Sequence, residues 1–380
     1  MAVRVLSRFP CANVRVLNVH PEGPQPEVVF TADPHGGTEA LWFYFRVEDP
    51  SPTVPPPATL TLSLRFFENL RGGHNAAAMR PVTRESGKNW FRLKPPAVSQ
   101  NPDGQSTLSW EVPYPAATTE IAFCYPYYRD ELALLLDHCK GYWMEDGIGL
   151  TQEGRVLTRL RNDIVEGCDA CPHPRGLYLL ARQHSGETPG AWVLDGMLTA
   201  IARARPVNWC VWCVPFANLD GVAMGDYGKG PFPYDLKQPW GQSAMRHETL
   251  AMQRDLQRWA KHCRPALVLD LQAPGACETS GVYSCPSKEA EPEWEKATSA
   301  WVNVFHQALK PDFAAEDFSR KANHTSRWDT PQISDFVHDT LGCSVVSLEI
   351  PYALCGDTVL APKQYREIGQ RLARAILTKK

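Results

Sequence analysis

The sharpest constraint on the fold of this chain is a change of pattern at Tyr125-Pro-Tyr-Tyr128. Before it, apolar residues come in short runs rich in β-branched and aromatic side chains: Val28–Thr31, Leu41–Val47, Thr59–Phe67, Asn89–Leu93, Gln105–Glu111 and Thr119–Cys124. Pro- and Gly-rich breaks at Asp49–Pro57, Arg71–Gly73 and Asn101–Gly104 separate them. Short strands at this spacing, with no helical period among them, predict an all-β sandwich over residues 1–124. After it, strands and helices alternate. Asp130–Cys139 is amphipathic, with Leu132, Leu134, Leu135 and Leu136 supplying an apolar face. Predicted strands at Leu177–Arg182, Trp209–Pro215, Ala266–Leu271 and Cys343–Ile350 alternate with helices at Ala191–Arg203, His247–His262, Glu293–Leu309, within Thr330–Leu341, and at Pro362–Leu377. That alternation predicts an α/β domain over residues 125–380, with a parallel or mixed sheet flanked by helices. A length of 380 residues agrees with two domains, because single cores stop growing near ~250–300 residues.

Composition removes whole classes of function. Lys and Arg number 39 against 42 Asp and Glu, a net charge of −3, which argues against a chain built to grip nucleic acid. No apolar run approaches the ~18 residues of a membrane helix, so no membrane partner is expected. Arg4, Arg8, Pro10 and Arg15 interrupt the N-terminus, which therefore does not read as a secretory signal. A reducing, cytoplasmic setting is the expectation, with the 12 cysteines mostly buried free thiols. Cys168 and Cys171 leave a disulfide or reactive thiol open. Cys210 and Cys213 fall on a predicted strand and point to opposite faces, so they do not complete a zinc site with the first pair. There is no Gly-x-Ser-x-Gly elbow and no phosphate loop.

Two features can carry chemistry. His184-Ser-Gly-Glu187 lies between a strand and the helix after it, at the carboxyl end of the sheet, where such folds bind ligands. An imidazole and a carboxylate across a glycine-containing turn can converge on one metal ion, although a polar loop with an incidental histidine spells the same letters. Glu349 sits late in the apolar strand Val345-Val-Ser-Leu-Glu-Ile350. A carboxylate there is either a general base with a raised pKa or an outward-pointing residue at the strand's end.

Leu177-Tyr-Leu-Leu-Ala-Arg-Gln-His-Ser-Gly-Glu-Thr-Pro-Gly-Ala-Trp192 resembles the metal loop of the zinc carboxypeptidases, in the cytosolic carboxypeptidase (deglutamylase) branch. Five further segments resemble that branch in order: Trp42–Arg46, Phe123–Tyr127, Pro215–Val222, Tyr234–Trp240 and Ser347–Glu349. The resemblance implies a carboxypeptidase-like catalytic domain and a Zn²⁺ cofactor held by His184 and Glu187. It implies Glu349 as general acid/base and a peptide or peptide-like substrate cleaved at its end, with Asn218 in the substrate pocket.

Three positions depart from the branch. Gln272, in Leu269-Asp-Leu-Gln272, falls where the third ligand is a histidine; its neutral amide oxygen is a weaker zinc donor than imidazole. Zinc then binds loosely, or another side chain completes the site, or the site is empty; Asp270, on the same strand face, and His324 are the candidates. Lys237-Gln238 replaces an Asn-Arg pair that grips the substrate carboxylate, and neither offers arginine's planar fork. Lys229 is the nearest cation to the place of an oxyanion-holding arginine. Two readings follow: a metallocarboxypeptidase-like hydrolase, or a catalytically retired module that recognises a peptide end or an amide.

Overall fold

The structure, a computed structural model, describes residues 3–21, 25–50, 56–115, 118–162, 173–230, 235–241, 243–286, 292–320 and 330–379. Cys168, Cys171, Tyr234 and His324 lie outside the described residues.

The N-terminal strands form two five-stranded sheets. One runs Arg4–Leu6, Tyr44–Glu48, Thr118–Ala122, Val82–Glu85, Phe91–Arg92, antiparallel throughout. The other runs Arg15–His20, Glu27–Thr31, Thr59–Leu64, Ser106–Pro113, Ala97–Gln100, with one parallel pair between Glu27–Thr31 and Thr59–Leu64. Alternate residues of each sheet turn inward, and Phe30 of one meets Phe45 of the other at 4.9 Å between ring centroids. This is the sandwich the sequence predicts. Several strands are shorter than expected, among them Leu41–Val47, which begins only at Tyr44. Thr59–Phe67 stops at Leu64 because Phe66 turns left-handed (φ 59°) into a short 3₁₀ turn, and Asn89–Leu93 keeps only Phe91–Arg92.

Beyond Arg129–His138, the first helix, lies an eight-stranded mixed sheet. Its order is Trp143–Leu150, Val156–Asn162, Trp209–Val214, Arg175–Ala181, Arg264–Gln272, Ser344–Glu349, Val282–Ser284, Ala314–Ser319. The four strands from Trp209–Val214 to Ser344–Glu349 are mutually parallel, and antiparallel neighbours flank them. The hairpin Trp143–Asn162 is absent from the sequence prediction. Gly147, Gly149, Glu145 and Asp146 dilute its strand signal, and the ladder shifts register between the two glycines. The expected boundary near residue 124 falls between the strand ending at Ala122 and the helix beginning at Arg129.

Helix Thr188–Ala204 is apolar on almost every side and buried nearly throughout, lying between the sheet and the last helix, Pro362–Thr378. The two helices touch backbone to backbone: a Cβ on Gly369 would lie 1.9 Å from the Val193 carbonyl oxygen. This packing pins the start of Thr188–Ala204, and with it the loop that enters it. The sandwich is tied to the sheet by Arg92, which donates to the Tyr352 carbonyl at 2.8 Å and the Leu360 carbonyl at 3.0 Å. Among the described residues no helix is long and apolar enough to cross a membrane.

Candidate functional site

Three neighbouring parallel strands end together. In register, Leu180 faces Asp270 and Ala181 faces Leu271, while Gln272 faces Glu349. Arg182 leaves the first strand in a left-handed conformation (φ 64°), which turns the chain abruptly into the loop His184–Glu187. A non-glycine residue in that region is strained, and such strain gathers at functional loops.

The loop brings His184 and Glu187 into contact. His184 Nδ1 lies 2.8 Å from Glu187 Oε1, and both side chains are buried, at 3% and 1% exposure. His184 Nε2 lies 3.2 Å from the Asp235 carboxylate. Asp235 is held in turn by the backbone N–H groups of Gly230 (3.1 Å) and Lys237 (2.9 Å). Glu187 Oε2 accepts from the backbone N–H of Ala273 at 3.0 Å, which sets its carboxylate beside Gln272. Burial alone would lower the imidazole's pKa, but the carboxylates on either side of it outweigh burial and push it up to about 9. Burial would raise Asp235 and Glu187, yet the His184 charge holds both below the usual carboxylate range.

Gln272 is buried at the end of its strand, directly before Ala273. Its amide nitrogen donates to Asp270 Oδ1 at 2.7 Å, and its Oε1 is buried with no hydrogen-bond partner among the described residues. Asp270 and Gln272 share a strand face, as the two-residue period requires, but Asp270 is engaged by Gln272 and by the Ser347 hydroxyl (3.3 Å). Among the described residues no three His, Cys, Asp or Glu side chains form a metal-holding group. The available donors are therefore the imidazole nitrogen of His184, the Glu187 carboxylate and the amide oxygen of Gln272. They fit a divalent metal. The outer nitrogen of the imidazole is already bound by a carboxylate, as ligating histidines are, and the unpartnered Gln272 oxygen is a donor without an acceptor. With one imidazole instead of two, the set would be a weaker donor set for zinc.

Glu349 is partly exposed at the end of its strand. Burial raises its pKa, Lys237 pulls it back and Glu187 adds to the rise. Burial opposes the charge on Lys237, but Asp270, Glu349 and Glu187 outweigh it and hold the ammonium charged. Gln238 is buried, its Oε1 accepting from the Thr330 hydroxyl at 2.6 Å. Lys229 is partly exposed, and its charge reaches both Glu187 and Glu349. Gly228 sits against the His184–Glu187 loop at φ 80°, where a Cβ would lie 2.3 Å from Ser185 Oγ, so no longer side chain fits at that point. Asn218 Oδ1 accepts from the Gly221 N–H at 3.1 Å, capping the short helix Leu219–Met224, and from Arg246 Nη2 at 3.5 Å.

Two residues at this site escape the sequence reading. Asp235 lies inside the Tyr234–Trp240 segment, but nothing local marks it as the partner of a histidine 51 positions away. Arg182 is two residues before His184, and its burial is invisible without the fold.

No family model matches the chain. It is 23% identical over 227 residues to cytosolic carboxypeptidase 6 from Homo sapiens, covering 55% of this chain and 44% of that protein, so the match spans under half of the human relative's length. It is 21% identical over 376 residues to cytosolic carboxypeptidase 6 from Caenorhabditis elegans, covering 89% of this chain and 78% of that one. The crystal structure of a metallo-carboxypeptidase from Burkholderia cenocepacia superposes with a TM-score of 0.80 at 18% identity, over 99% of this chain and 98% of that one. By sequence the chain is thus similar to cytosolic carboxypeptidases, and it shares its fold with a metallo-carboxypeptidase over nearly its whole length.

Proposed function

We propose that the chain is a metallocarboxypeptidase-like hydrolase that cleaves an amide or peptide bond at the end of a peptide-like substrate in the cytoplasm. The observation that carries this reading is the buried contact of His184 with Glu187, backed by Asp235, beside the strand end that presents Glu349. His184, Glu187 and Gln272 would hold the metal, zinc in this family, and a bound metal polarises a carbonyl and lowers the pKa of a water. Asp235 orients the imidazole by taking its outer nitrogen. Glu349 is the general acid/base: partial burial raises its affinity for a proton, and it lies one strand from Gln272, within reach of the same pocket. Lys237 and Lys229 attract the substrate's terminal group as point charges, and Gln238 offers it an amide in place of a guanidinium fork.

Metal uptake and turnover test this reading together. The protein, purified without chelators and then supplied with zinc, should retain about one equivalent. It should also release the terminal residue from some member of a panel of carboxylate-ended and amide-ended peptides, an activity that Glu349→Gln abolishes. Uptake below about a tenth of an equivalent overturns the metal reading. Stoichiometric metal with no turnover, and equal peptide binding by wild type and Glu349→Gln, leaves a binding module.

A further inference from the structure

We infer that Arg182 is a positioning residue, whose guanidinium fork clamps the Ser185 carbonyl and thereby sets the geometry of the His184–Glu187 pair. Its function, though not the clamp itself, rests on the metal-binding reading of that pair.

Arg182 is 2% exposed. Its Nε donates to the Ser185 carbonyl at 2.6 Å, and Nη2 donates to the same oxygen. Nη1 donates to the Tyr127 carbonyl at 2.9 Å. Among the described residues no carboxylate lies within 4 Å of the guanidinium, so this buried cation is spent on main-chain oxygens alone. Ser185 is the residue next to His184 in the turn that carries both side chains. Two N–H bonds converging on its carbonyl oxygen fix the Ser185–Gly186 peptide, and fixing it limits where the His184 and Glu187 side chains on either side can go. The turn's own bonds are tight and few: Glu187 N–H to the His184 carbonyl at 3.1 Å, and Thr188 N–H to the Gly186 carbonyl at 3.0 Å. They curl the turn but do not anchor it.

Three further observations point the same way. Arg182 adopts the left-handed backbone conformation that sends its side chain back under the loop. Its own carbonyl is held by the Asn218 N–H at 2.9 Å, so the base of the clamp does not move. Tyr127 belongs to the segment that enters the α/β part of the chain, so one side chain joins that entry to the loop. Lysine would carry the charge but not the planar pair of donors.

Amide hydrogen exchange at single-residue resolution tests the clamp. In the wild type, the amides of Gly186, Glu187 and Thr188 should exchange as slowly as those of Arg175–Ala181, within about tenfold, although they lie in a turn. Rapid exchange there, typical of a loose surface loop, overturns the proposal without any variant. In Arg182→Lys those three amides should speed up by about 100-fold while the strand amides change by less than about tenfold. Zinc affinity, read by competition with a chromophoric chelator, should fall at least about tenfold. Arg182→Met should show the same pattern at least as strongly. Unchanged loop exchange in Arg182→Lys, or loop and strand accelerating in step as in a purely structural defect, overturns it. If the wild type takes up no metal but the loop loosens as described, the metal reading fails and the clamp stands.

Discussion

Two segments face each other across the ends of the parallel strands, and they are held by different means. The loop Arg182–Thr188 is held through side chains: the His184–Glu187 contact, the Asp235 carboxylate behind it and the Arg182 fork beneath. The stretch Gly225–Gly230 is held against that loop by its main-chain carbonyls: the Tyr227 carbonyl accepts from the Gly186 N–H at 2.9 Å and the Asp226 carbonyl from the Ser185 hydroxyl at 2.9 Å. Within the same segment the Gly230 N–H donates to the Asp235 carboxylate that backs His184. Main-chain bonds do not depend on which side chain a residue carries. Lys237, Gln238 and Lys229 can therefore stand in an otherwise family-like segment without disturbing the fold, whereas few changes in the loop would be tolerated. On this view the half of the site proposed to recognise the substrate is free to diverge while the half proposed to hold the metal is not.

The largest expected effect is at Glu187. Glu187→Ala leaves a buried imidazole beside Asp235 and an Ala273 N–H without its acceptor. The predicted cost is about 3 kcal/mol in urea unfolding, at an unchanged m value, with loss of measurable zinc binding. A stability change below about 1 kcal/mol would show that the loop does not depend on its side-chain contacts.

Next in size is a gain. Gln272→His supplies a second imidazole, and Asp270, 2.7 Å from the present amide nitrogen, is placed to accept its outer N–H. Zinc affinity should rise at least about tenfold in chelator competition. No gain would mean that the strand end, not the amide, limits the site.

In the recognition half, Gln238→Arg should restore a fork for a carboxylate. In the Glu349→Gln background, calorimetry should show a carboxylate-ended peptide binding about tenfold tighter and its amide-ended counterpart unchanged. Equal gains for both peptides would assign the effect to general charge, and with it dissolve the contrast drawn between the two halves.

The legible parts of this molecule are those encoded locally. Helix His247–His262 matches its predicted bounds because its apolar period runs unbroken, and the central strands are apolar runs buried on both faces. The hairpin Trp143–Asn162 was illegible because glycines and acids on an edge carry little β signal. Within the site, His184, Glu187 and Glu349 could be picked out because each stands out from its neighbours in sequence. Asp235 could not, because its role exists only once the chain has brought it to His184 across 51 residues. Gln272 was legible as a departure, but that its nitrogen is taken by Asp270 and its oxygen left unpartnered depends on a side-chain torsion that no pattern encodes.

The smallest effect concerns how the recognition segment is tied to the sandwich. His35 Nδ1 lies 2.7 Å from Asp226 Oδ1, and both side chains are about one-third exposed, at 32% and 33%. The hydrogen bond to Asp226 raises the His35 pKa above its ordinary value; burial opposes the rise, the Asp226 and Asp33 charges add to it, and Arg15 opposes it. A histidine raised in the folded state stabilises fully below its unfolded pKa, near 6.5. That contribution is lost as pH rises through the raised folded value. The unfolding midpoint should therefore fall slightly from pH 6 toward pH 8 in the wild type, and less so in His35→Gln, by well under about 1 kcal/mol because solvent screens the pair. Over the same range the Asp226 amide, which donates to the Gly221 carbonyl at 2.8 Å, should exchange faster after correction for the intrinsic pH dependence. The Gly186–Thr188 amides should not. If both groups of amides respond together, the two segments move as one body, and the independence inferred for the recognition half does not extend to its dynamics.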